Sequence, residues 1–319
     1  NVCKKVNIST ENRLTGKEIE EMTDEELKEK SVNCHLYSKL SPLQKQRIVK
    51  IYQEQGNTVG YMGDGINDSP PLKQSDVGIS VDTAVDIAKE TADIILLEKD
   101  LNVLEKGVII GRKTFTNILK YIKMATSFNF GEVVSVIIAS IVLPFLPETP
   151  IQLLVEGLLY DFGQMTIPFD NVDKELIRKP KKLNIKSLKR FMFFMGPVSS
   201  LFDIVVFSLL WFVFTVRDVT HFQTIWFTYS IVSNLIGMHI IRTAKTPFIQ
   251  SNAHKAVYIS SILLIIIGIL VPFTPLGTVI GLAPIALKYI FMIFGVTFLY
   301  CIVASYAKKI YIKKYKEWI

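Results

Sequence analysis

Cysteine is scarce in this sequence, which contains three in 319 residues: Cys3, Cys34 and Cys301. Neither their number nor their spacing matches a disulfide framework or a cysteine metal site. We therefore expect the hydrophilic part of the chain to lie in a reducing compartment, and we assign the cysteines no chemistry.

The sequence also lacks a basic block that stands apart from its hydrophobic runs, although its formal net charge is +7. Lys and Arg residues that flank apolar runs are typical topology signals of membrane proteins. Nucleic acid is therefore not an expected partner. The amino end carries neither a starting Met nor the apolar core of a signal peptide. We expect a fragment of a longer protein, with a natural truncation as the alternative.

Long apolar runs fill the second part of the chain. Half of all residues are hydrophobic, and the runs begin near residue 118, whereas most acidic residues precede it. Runs of about 20 residues can cross a hydrocarbon core of ~30 Å as helices. The pattern predicts six transmembrane helices, at 118–143, 151–169, 191–216, 222–241, 257–273 and 284–307.

The connections between these runs alternate in charge. The connection at 174–190 holds eight Lys or Arg residues and the segment after residue 305 holds five, whereas 144–150 and 274–284 hold none. By the positive-inside rule, both ends of the chain should face the cytoplasm of a multi-pass plasma-membrane protein. At the edge of the fourth run, His239 and Arg242 are predicted to be interfacial anchors.

The first 117 residues have the pattern of an α/β domain. Polar helical segments alternate with short apolar runs at 58–62, 77–81 and 94–97, which predict buried parallel strands. The helical segments include 16–30 and a helix that begins after Ser41 and ends at Gly56.

A glycine-rich acidic loop follows the first of these runs. It contains Gly63, Asp64, Gly65, Asn67 and Asp68. Carboxylates and amides are suitable ligands for Mg²⁺, which also keeps waters and substrate phosphate oxygens in its shell. The glycines would allow unusual backbone angles or a close approach to a bound group. An ordinary turn uses the same residue types, so this loop alone leaves the turn as the alternative.

The sequence around this loop distinguishes a Mg²⁺-binding loop from an ordinary turn. Gly-Asp-Gly-Ile-Asn-Asp-Ser-Pro-Pro-Leu at 63–72, with Ser-Pro-Leu-Gln-Lys at 41–45 before it and Asp-Val-Gly-Ile at 76–79 after it, resembles the hinge region of P-type ATPases. The resemblance implies a phosphorylation domain of haloacid-dehalogenase type, in which Asp64 and Asp68 hold the catalytic Mg²⁺. It also implies that Lys45 contacts an aspartyl phosphate, with Asn67, Gly63 and Gly65 in the same catalytic loop.

One element of the family pattern is absent. The phosphorylated aspartate of P-type ATPases lies in Asp-Lys-Thr-Gly-Thr, and that string does not occur in this sequence. The resemblance covers only the carboxyl-terminal part of a family member, without the nucleotide-binding domain, the actuator domain and four preceding spans. We expect residues 1–117 to be part of the phosphorylation domain and 118–319 to be the fifth to tenth spans. This chain alone should not hydrolyse ATP.

Polar residues inside the first two runs are the candidate ion ligands, because such residues are costly in a membrane. Asn129 and Glu132 lie three apart on one helix face, and Asp161 and Gln164 share a face of the next helix. Glu156 lies about 140° from Asp161 on that helix, and Asp161 is the preferred ligand of the two. The resemblance places Asn129, Glu132 and Asp161 at transport positions, with Glu156 and Gln164 as further candidates.

Other segments resemble the magnesium-transporting (type IIIB) subgroup of P-type ATPases, bacterial importers of Mg²⁺. They are 191–204, 239–251 and 311–315. The subgroup implies Mg²⁺ as cargo and as cofactor, ATP as the substrate of the complete protein, and lipid as its surroundings. Calcium or another divalent cation is the alternative cargo, since calcium pumps place Glu at the position of Glu132. A truncated membrane module that binds a partner or senses an ion, and a membrane-anchored phosphatase, are the alternatives from other classes.

Overall fold

The computed structural model describes residues 12–98 and 100–319, and Cys3 lies outside them. The chain divides into two compact units, residues 1–108 and 109–319, each of which we describe by itself. The division falls inside one continuous helix and before the predicted domain boundary at 117.

The first unit alternates short strands and helices. In chain order its elements are β1 (Arg13–Thr15), α1 (Gly16–Glu21), α2 (Asp24–Ser31), β2 (Leu36–Ser38), α3 (Pro42–Glu54), β3 (Gly60–Met62), α4 (Ser69–Gln74), β4 (Val77–Val81), α5 (Asp86–Thr91) and β5 (Ile94–Leu96). A short 3₁₀ turn, Ile66–Asp68, precedes α4.

The strands form two parallel sheets. One pairs β1 with β2, and the other has the order β3-β4-β5, with Tyr61 opposite Gly78 and Ile79 opposite Ile94. The three strands of the second sheet are those that the sequence predicted. Neither β1 nor β2 was predicted, because each has three residues and no continuous apolar run.

Helix boundaries in this unit follow local capping chemistry. The predicted helix over 16–30 is two helices, because Thr23 caps a new one with its side chain and accepts from the backbone of Glu26. Helix α3 begins after Ser41 as predicted, with Pro42 in its first turn. The left-handed conformation of Gly56, φ +82°, follows its end.

The second unit is helical. Its elements are α6 (Leu101–Val142), α7 (Pro150–Gln164), α8 (Lys174–Ile177), α9 (Ile185–Ser208), α10 (Val219–Ile241), α11 (Lys255–Leu270), α12 (Pro275–Val279) and α13 (Leu287–Tyr315). A π-helical turn, Leu209–Val213, extends α9.

Five of these helices are long and apolar enough to cross a membrane: α6, α9 with its π turn, α10, α11 with the turn after it, and α13. The second predicted span is shorter than expected. Helix α7 has 15 residues and ends before a 3₁₀ turn at Ile167–Phe169 that contains Pro168. At 1.5 Å per residue it is about 22 Å long, less than a hydrocarbon core.

Helix α10 is the centre of the bundle. In its most apolar stretch 89% of the residues are buried, against 28–39% for the other four long helices. It packs against α7, α11 and α13. Helices α6 and α9 meet through small residues, since an added Cβ on Gly131 would lie 2.9 Å from the carbonyl oxygen of Gly196.

A buried ion network joins the ends of several helices. Asp170 accepts from Lys120 at 2.7 Å and from Nε of Arg242 at 2.9 Å, and both cations are 1% exposed. Arg242 also donates to the backbone oxygens of Ser251 and Asn252. Its prediction as an interfacial anchor is therefore wrong. Sequence spacing gave no sign of Asp170, which lies 72 residues away.

Candidate functional site: a catalytic loop and a membrane carboxylate cluster

The glycine-rich loop directly follows β3, at the carboxyl end of a parallel strand. Such ends are where α/β sheets place their functional loops. Asp68, in the 3₁₀ turn that ends the loop, is 9% exposed, whereas Asp64 and Asn67 are exposed. The structure therefore separates one inward carboxylate from one accessible carboxylate.

Asp68 is held by three donors. Lys45 Nζ of α3 donates to Oδ1 at 2.7 Å, and the hydroxyl of Tyr61 donates to the same oxygen at 2.8 Å. The backbone N–H of Gly65 donates to Oδ2 at 3.2 Å. Burial alone would raise the pKa of Asp68, but these hydrogen bonds outweigh it and hold the pKa below its usual value. Asp68 is therefore a fixed anion, and it positions the ammonium group of Lys45.

Glycine is required at position 63 because the side chain of Asp68 lies directly against the backbone there. A Cβ at this position would overlap the Asp68 side chain, with 2.6 Å to Cγ. Neither Gly63 nor Gly65 is among the glycines with positive φ. Of the two expected roles of these glycines, the structure supports close packing rather than a left-handed backbone.

The oxygen ligands of this loop fit a Mg²⁺ ion, and the two aspartates are suited to different roles. Asp64 is accessible, and its side chain makes no hydrogen bond within the described ranges, so its oxygens are free to ligate. Both oxygens of Asp68 already accept hydrogen bonds from protein groups. Asp64 is thus suited to direct coordination, and Asp68 to orienting Lys45 and any water of the metal's shell.

In the helical unit, three carboxylates converge. Oxygens of Glu132 in α6, Glu148 in the α6–α7 connection and Glu156 in α7 lie within 4.8 Å of one another. Glu148 and Glu156 are 8% and 2% exposed. The hydroxyl of Ser230 in α10 donates to Glu156. Sequence reasoning placed Glu132 and Glu156 among the candidates and missed Glu148.

Local structure fixes the position of Glu148. The side chain of Gln223 in α10 donates to the carbonyl of Leu146 at 2.9 Å, and Phe145 packs edge-on against Phe222. The next residue, Thr149, caps α7 through a reciprocal pair of bonds with Gln152. Glu148 is the one acidic residue in an otherwise uncharged, proline-rich connection, and this isolation was the available sequence signal.

The other predicted ligands lie elsewhere. Asp161 is exposed on α7 and, with Gln164, lines a cavity of about 370 Å³ that is also bordered by Asn117 and Tyr121. Neither Asn129 nor Glu132 lines this cavity. Asn129 is exposed on α6. Gln164 is 1% exposed, and its amide atoms make no hydrogen bond within the described chain.

Comparison with known proteins identifies the family. The model described as "Cation transporting ATPase, C-terminus" matches residues 145–310, about half of the chain. The chain belongs to the cation-transporting ATPase family. Within this family, it is 48% identical over 99% of its length to "Magnesium-transporting ATPase, P-type 1" of Salmonella typhimurium strain LT2. It is 47% identical over 98% of its length to the protein of the same name from Escherichia coli strain K12.

Relatives with lower sequence identity include proteins named for calcium transport. "Calcium-transporting ATPase" of Bacillus subtilis strain 168 is 28% identical over 85% of the chain. The chain spans 35% of the length of the two magnesium-transporting relatives and 32% of the calcium-transporting one.

Proposed function

We propose that this chain is the carboxyl-terminal part of a P-type ATPase that uses ATP to move Mg²⁺ across a bacterial plasma membrane, in the direction of import. The observation that carries the proposal is that the chain is more similar in sequence to magnesium-transporting relatives than to a calcium-transporting one. Identity is 47–48% over nearly the whole chain to magnesium-transporting relatives and 28% to a calcium-transporting one. In this proposal residues 1–108 contribute part of the phosphorylation domain, and α6 to α13 form the transport bundle.

The catalytic loop supports the first half of the proposal. Lys45 is held beside Asp68 at 2.7 Å and supplies a fixed positive charge, which suits stabilisation of a transferring phosphoryl group. Asp64 and Asp68 would hold a Mg²⁺, which would neutralise further phosphate charge when bound. Gly63 lets Asp68 lie against the backbone, and Asn67 remains accessible to a phosphate oxygen. The phosphorylated aspartate would lie outside these 319 residues.

The membrane residues support the second half. Asn129, Glu132 and Asp161 are oxygen donors on the two helices that would carry the transported ion, with Glu156 and Gln164 as neighbours. A carboxylate or amide that faces lipid in a membrane-spanning segment is costly. The exposed faces of Asn129 and Asp161 are therefore suited to an ion path that another part of the complete protein covers.

Calcium is the second candidate cargo. The cluster of three carboxylates at Glu132, Glu148 and Glu156 offers six oxygens, the lower limit of the six to eight that Ca²⁺ takes. The sequence contrast favours Mg²⁺.

The direct test of the ATPase proposal is phosphoenzyme formation. The complete gene product should form an acid-stable, hydroxylamine-sensitive phosphoenzyme from radiolabelled ATP, as an aspartyl phosphate does. Asp64→Asn should greatly reduce it, and Asp86→Asn, at a side chain that is 93% exposed, should not. Absence of a phosphoenzyme in the unmutated protein would contradict the proposal.

A further inference from the structure

The segment of residues 316–319 follows α13 and folds back into the helical unit. Helix α13 ends at Lys316, which adopts a left-handed backbone with φ +57°. This conformation is unfavourable for a lysine and persists where the surrounding contacts impose it. Trp318 and Ile319, which come after the reversal, are 3% and 8% exposed. The course of the segment is therefore held by what it contacts.

Helices α9 and α10 provide the first anchors of the segment. The indole N–H of Trp318 donates to the backbone oxygen of Ile241, at the end of α10, at 2.8 Å. The Trp318 ring packs edge-on against Phe191 of α9, with 4.8 Å between the ring centres. The carboxylate of Glu317 accepts from the hydroxyl of Ser187 in α9 at 2.9 Å. Because α13 itself packs against α9 and α10, these anchors extend an existing contact.

A further contact joins the segment to α6. Lys123 of α6 is 6% exposed, and its Nζ donates to the backbone oxygen of Trp318 at 2.6 Å. The same ammonium lies 4.9 Å from the centre of the Phe191 ring. In the described part of the chain, no other acceptor lies within hydrogen-bond distance of this ammonium. A buried ammonium is costly without such partners, so the segment and Lys123 hold each other in place.

Helix α6 carries two candidate ligands of the ion path beyond this contact. Asn129 and Glu132 lie about 9 Å and about 14 Å further along the helix than Lys123, at 1.5 Å per residue. Ligands on a rigid element are positioned by whatever fixes that element. A ligand that is already in position loses less freedom when it binds, and affinity is higher as a result.

We propose that the 316–319 segment is a strap that ties α6 to α9 and α10 through Lys123 and thereby sets the affinity of the ion path for its cation. This inference rests on the proposed function, because the cation is the transported Mg²⁺. Lys123 and Trp318 are positioning residues and are not among the candidate ligands. Without the strap, α6 also occupies positions in which its ligands are not in place, and the apparent affinity falls with the fraction of molecules in the competent position.

The test is Mg²⁺-stimulated ATP hydrolysis by the complete protein in lipid nanodiscs, with a fixed, saturating concentration of the Mg²⁺–ATP complex and a varied concentration of free Mg²⁺. Trp318→Ala removes the ring contacts, and Lys123→Met removes the donor but keeps the length of the side chain. Each should raise the half-saturating concentration of free Mg²⁺ about fivefold or more, the lower end of typical coupling between sites, and leave maximal turnover unchanged. A role confined to folding would instead lower maximal turnover, because fewer molecules would be active.

Two matched controls should behave like the parent. Lys113→Met changes an exposed lysine of α6, and Phe298→Ala changes an aromatic residue of α13 that is 69% exposed. Trp318→Phe keeps a buried ring and loses the indole N–H, so it tests the same anchor if Trp318→Ala does not fold.

A double variant shows whether the two residues act through one device. If Lys123 acts through the segment, Lys123→Met should add no further shift to that of the Trp318 variant. Shifts that multiply in the double variant would overturn the inference, as would single variants with the half-saturating concentration of an active parent. Either result leaves the proposed function standing, whereas a parent without Mg²⁺-stimulated hydrolysis contradicts the proposed function itself.

Discussion

Lys45 and Asp68 form a salt bridge with 2.7 Å between Nζ and Oδ1, although 23 residues separate them in the sequence. Lys45 belongs to the first turns of α3, and Asp68 ends the loop that follows β3. Because both lie in the first unit, the packing of one helix against one loop is enough to assemble this charge pair. It is the feature of the structure on which the proposed role of Lys45 in phosphoryl transfer rests most directly.

The stability contributed by Asp68 should depend on pH. Its pKa is lower in the folded chain than its ordinary value of 3.8, so its contribution is fully present above pH 3.8 and is lost as the pH falls through the folded pKa. Near neutral pH, Asp68→Asn should lower the free energy of unfolding by about 1.5–3 kcal/mol, the typical contribution of hydrogen bonds to a charged group. Chemical denaturation followed by circular dichroism at several pH values measures this. A difference between the two proteins that grows below pH 3.8 would contradict the assignment.

The Asp170 ion network should be important for the stability of the helical unit. Asp170→Asn leaves Lys120 and Arg242 buried without their anion, and breaking a buried pair in this way costs about 3–5 kcal/mol. The expected result is a large drop in the thermal unfolding midpoint in detergent. Glu175→Gln is the matched control, because its pair with Lys245 is exposed to solvent and contributes little to stability. Equal midpoints for the two variants would show that the network is not structurally important.

The contact between α6 and α9 should be intolerant of side chains at Gly131. An added Cβ there collides with Ser199 and lies 2.9 Å from the carbonyl of Gly196, so Gly131→Ala should destabilise by about 1–3 kcal/mol. A Cβ on Gly295 of α13 meets no atom within 4 Å. Gly295→Ala should therefore be neutral, or stabilising by up to about 1 kcal/mol through helix propensity. Thermal unfolding of both variants compares the two positions, and a more harmful change at Gly295 would be the contrary result.

Asp161 should be required for transport rather than for folding. It is exposed at the edge of a cavity, so Asp161→Asn removes a charge without opening the bundle. In the complete protein we expect at least about a tenfold loss of ion-stimulated ATP turnover, because loss of even an outer-shell partner of a metal ligand typically costs about 10- to 100-fold. Expression level and unfolding midpoint should match the parent. Turnover that still responds normally to Mg²⁺ would remove Asp161 from the ion path.

Short-range patterns predicted a large part of the fold. The strands β3, β4 and β5 follow from apolar runs, and α3 follows from Ser41 and Pro42. The sequence was less informative where tertiary context decides. Strands β1 and β2 have three residues each and depend on pairing with one another. Helix α7 stops at 15 residues, before Pro168, where hydropathy alone suggested a full span.

The candidate sites were also predicted only in part from the sequence. The motif at 63–68 predicted the residue types of the loop and its position after a strand. The contact of Tyr61 with Asp68 could not be predicted, because it depends on the three-dimensional fold. In the membrane unit, helical periodicity correctly separates Glu156 from Asp161. It could not show that Glu156 is the one that meets Glu132, because that depends on how α6 and α7 pack. Glu148 was assigned to a connection and therefore received no role.

ATP-driven Mg²⁺ flux tests the central claim most directly. The complete protein, reconstituted in sealed vesicles that contain Mg²⁺ and a Mg²⁺-sensitive dye, should lower the internal Mg²⁺ concentration when ATP and a little Mg²⁺ are added outside. Outside ATP reaches only the pumps whose cytoplasmic side faces outward, and import then carries Mg²⁺ from the lumen to that side. The account predicts a flux that needs hydrolysable ATP and is lost in Asp64→Asn, with Ca²⁺ moved more slowly than Mg²⁺ in parallel vesicles. ATP hydrolysis that moves Ca²⁺ and leaves Mg²⁺ unmoved would contradict it.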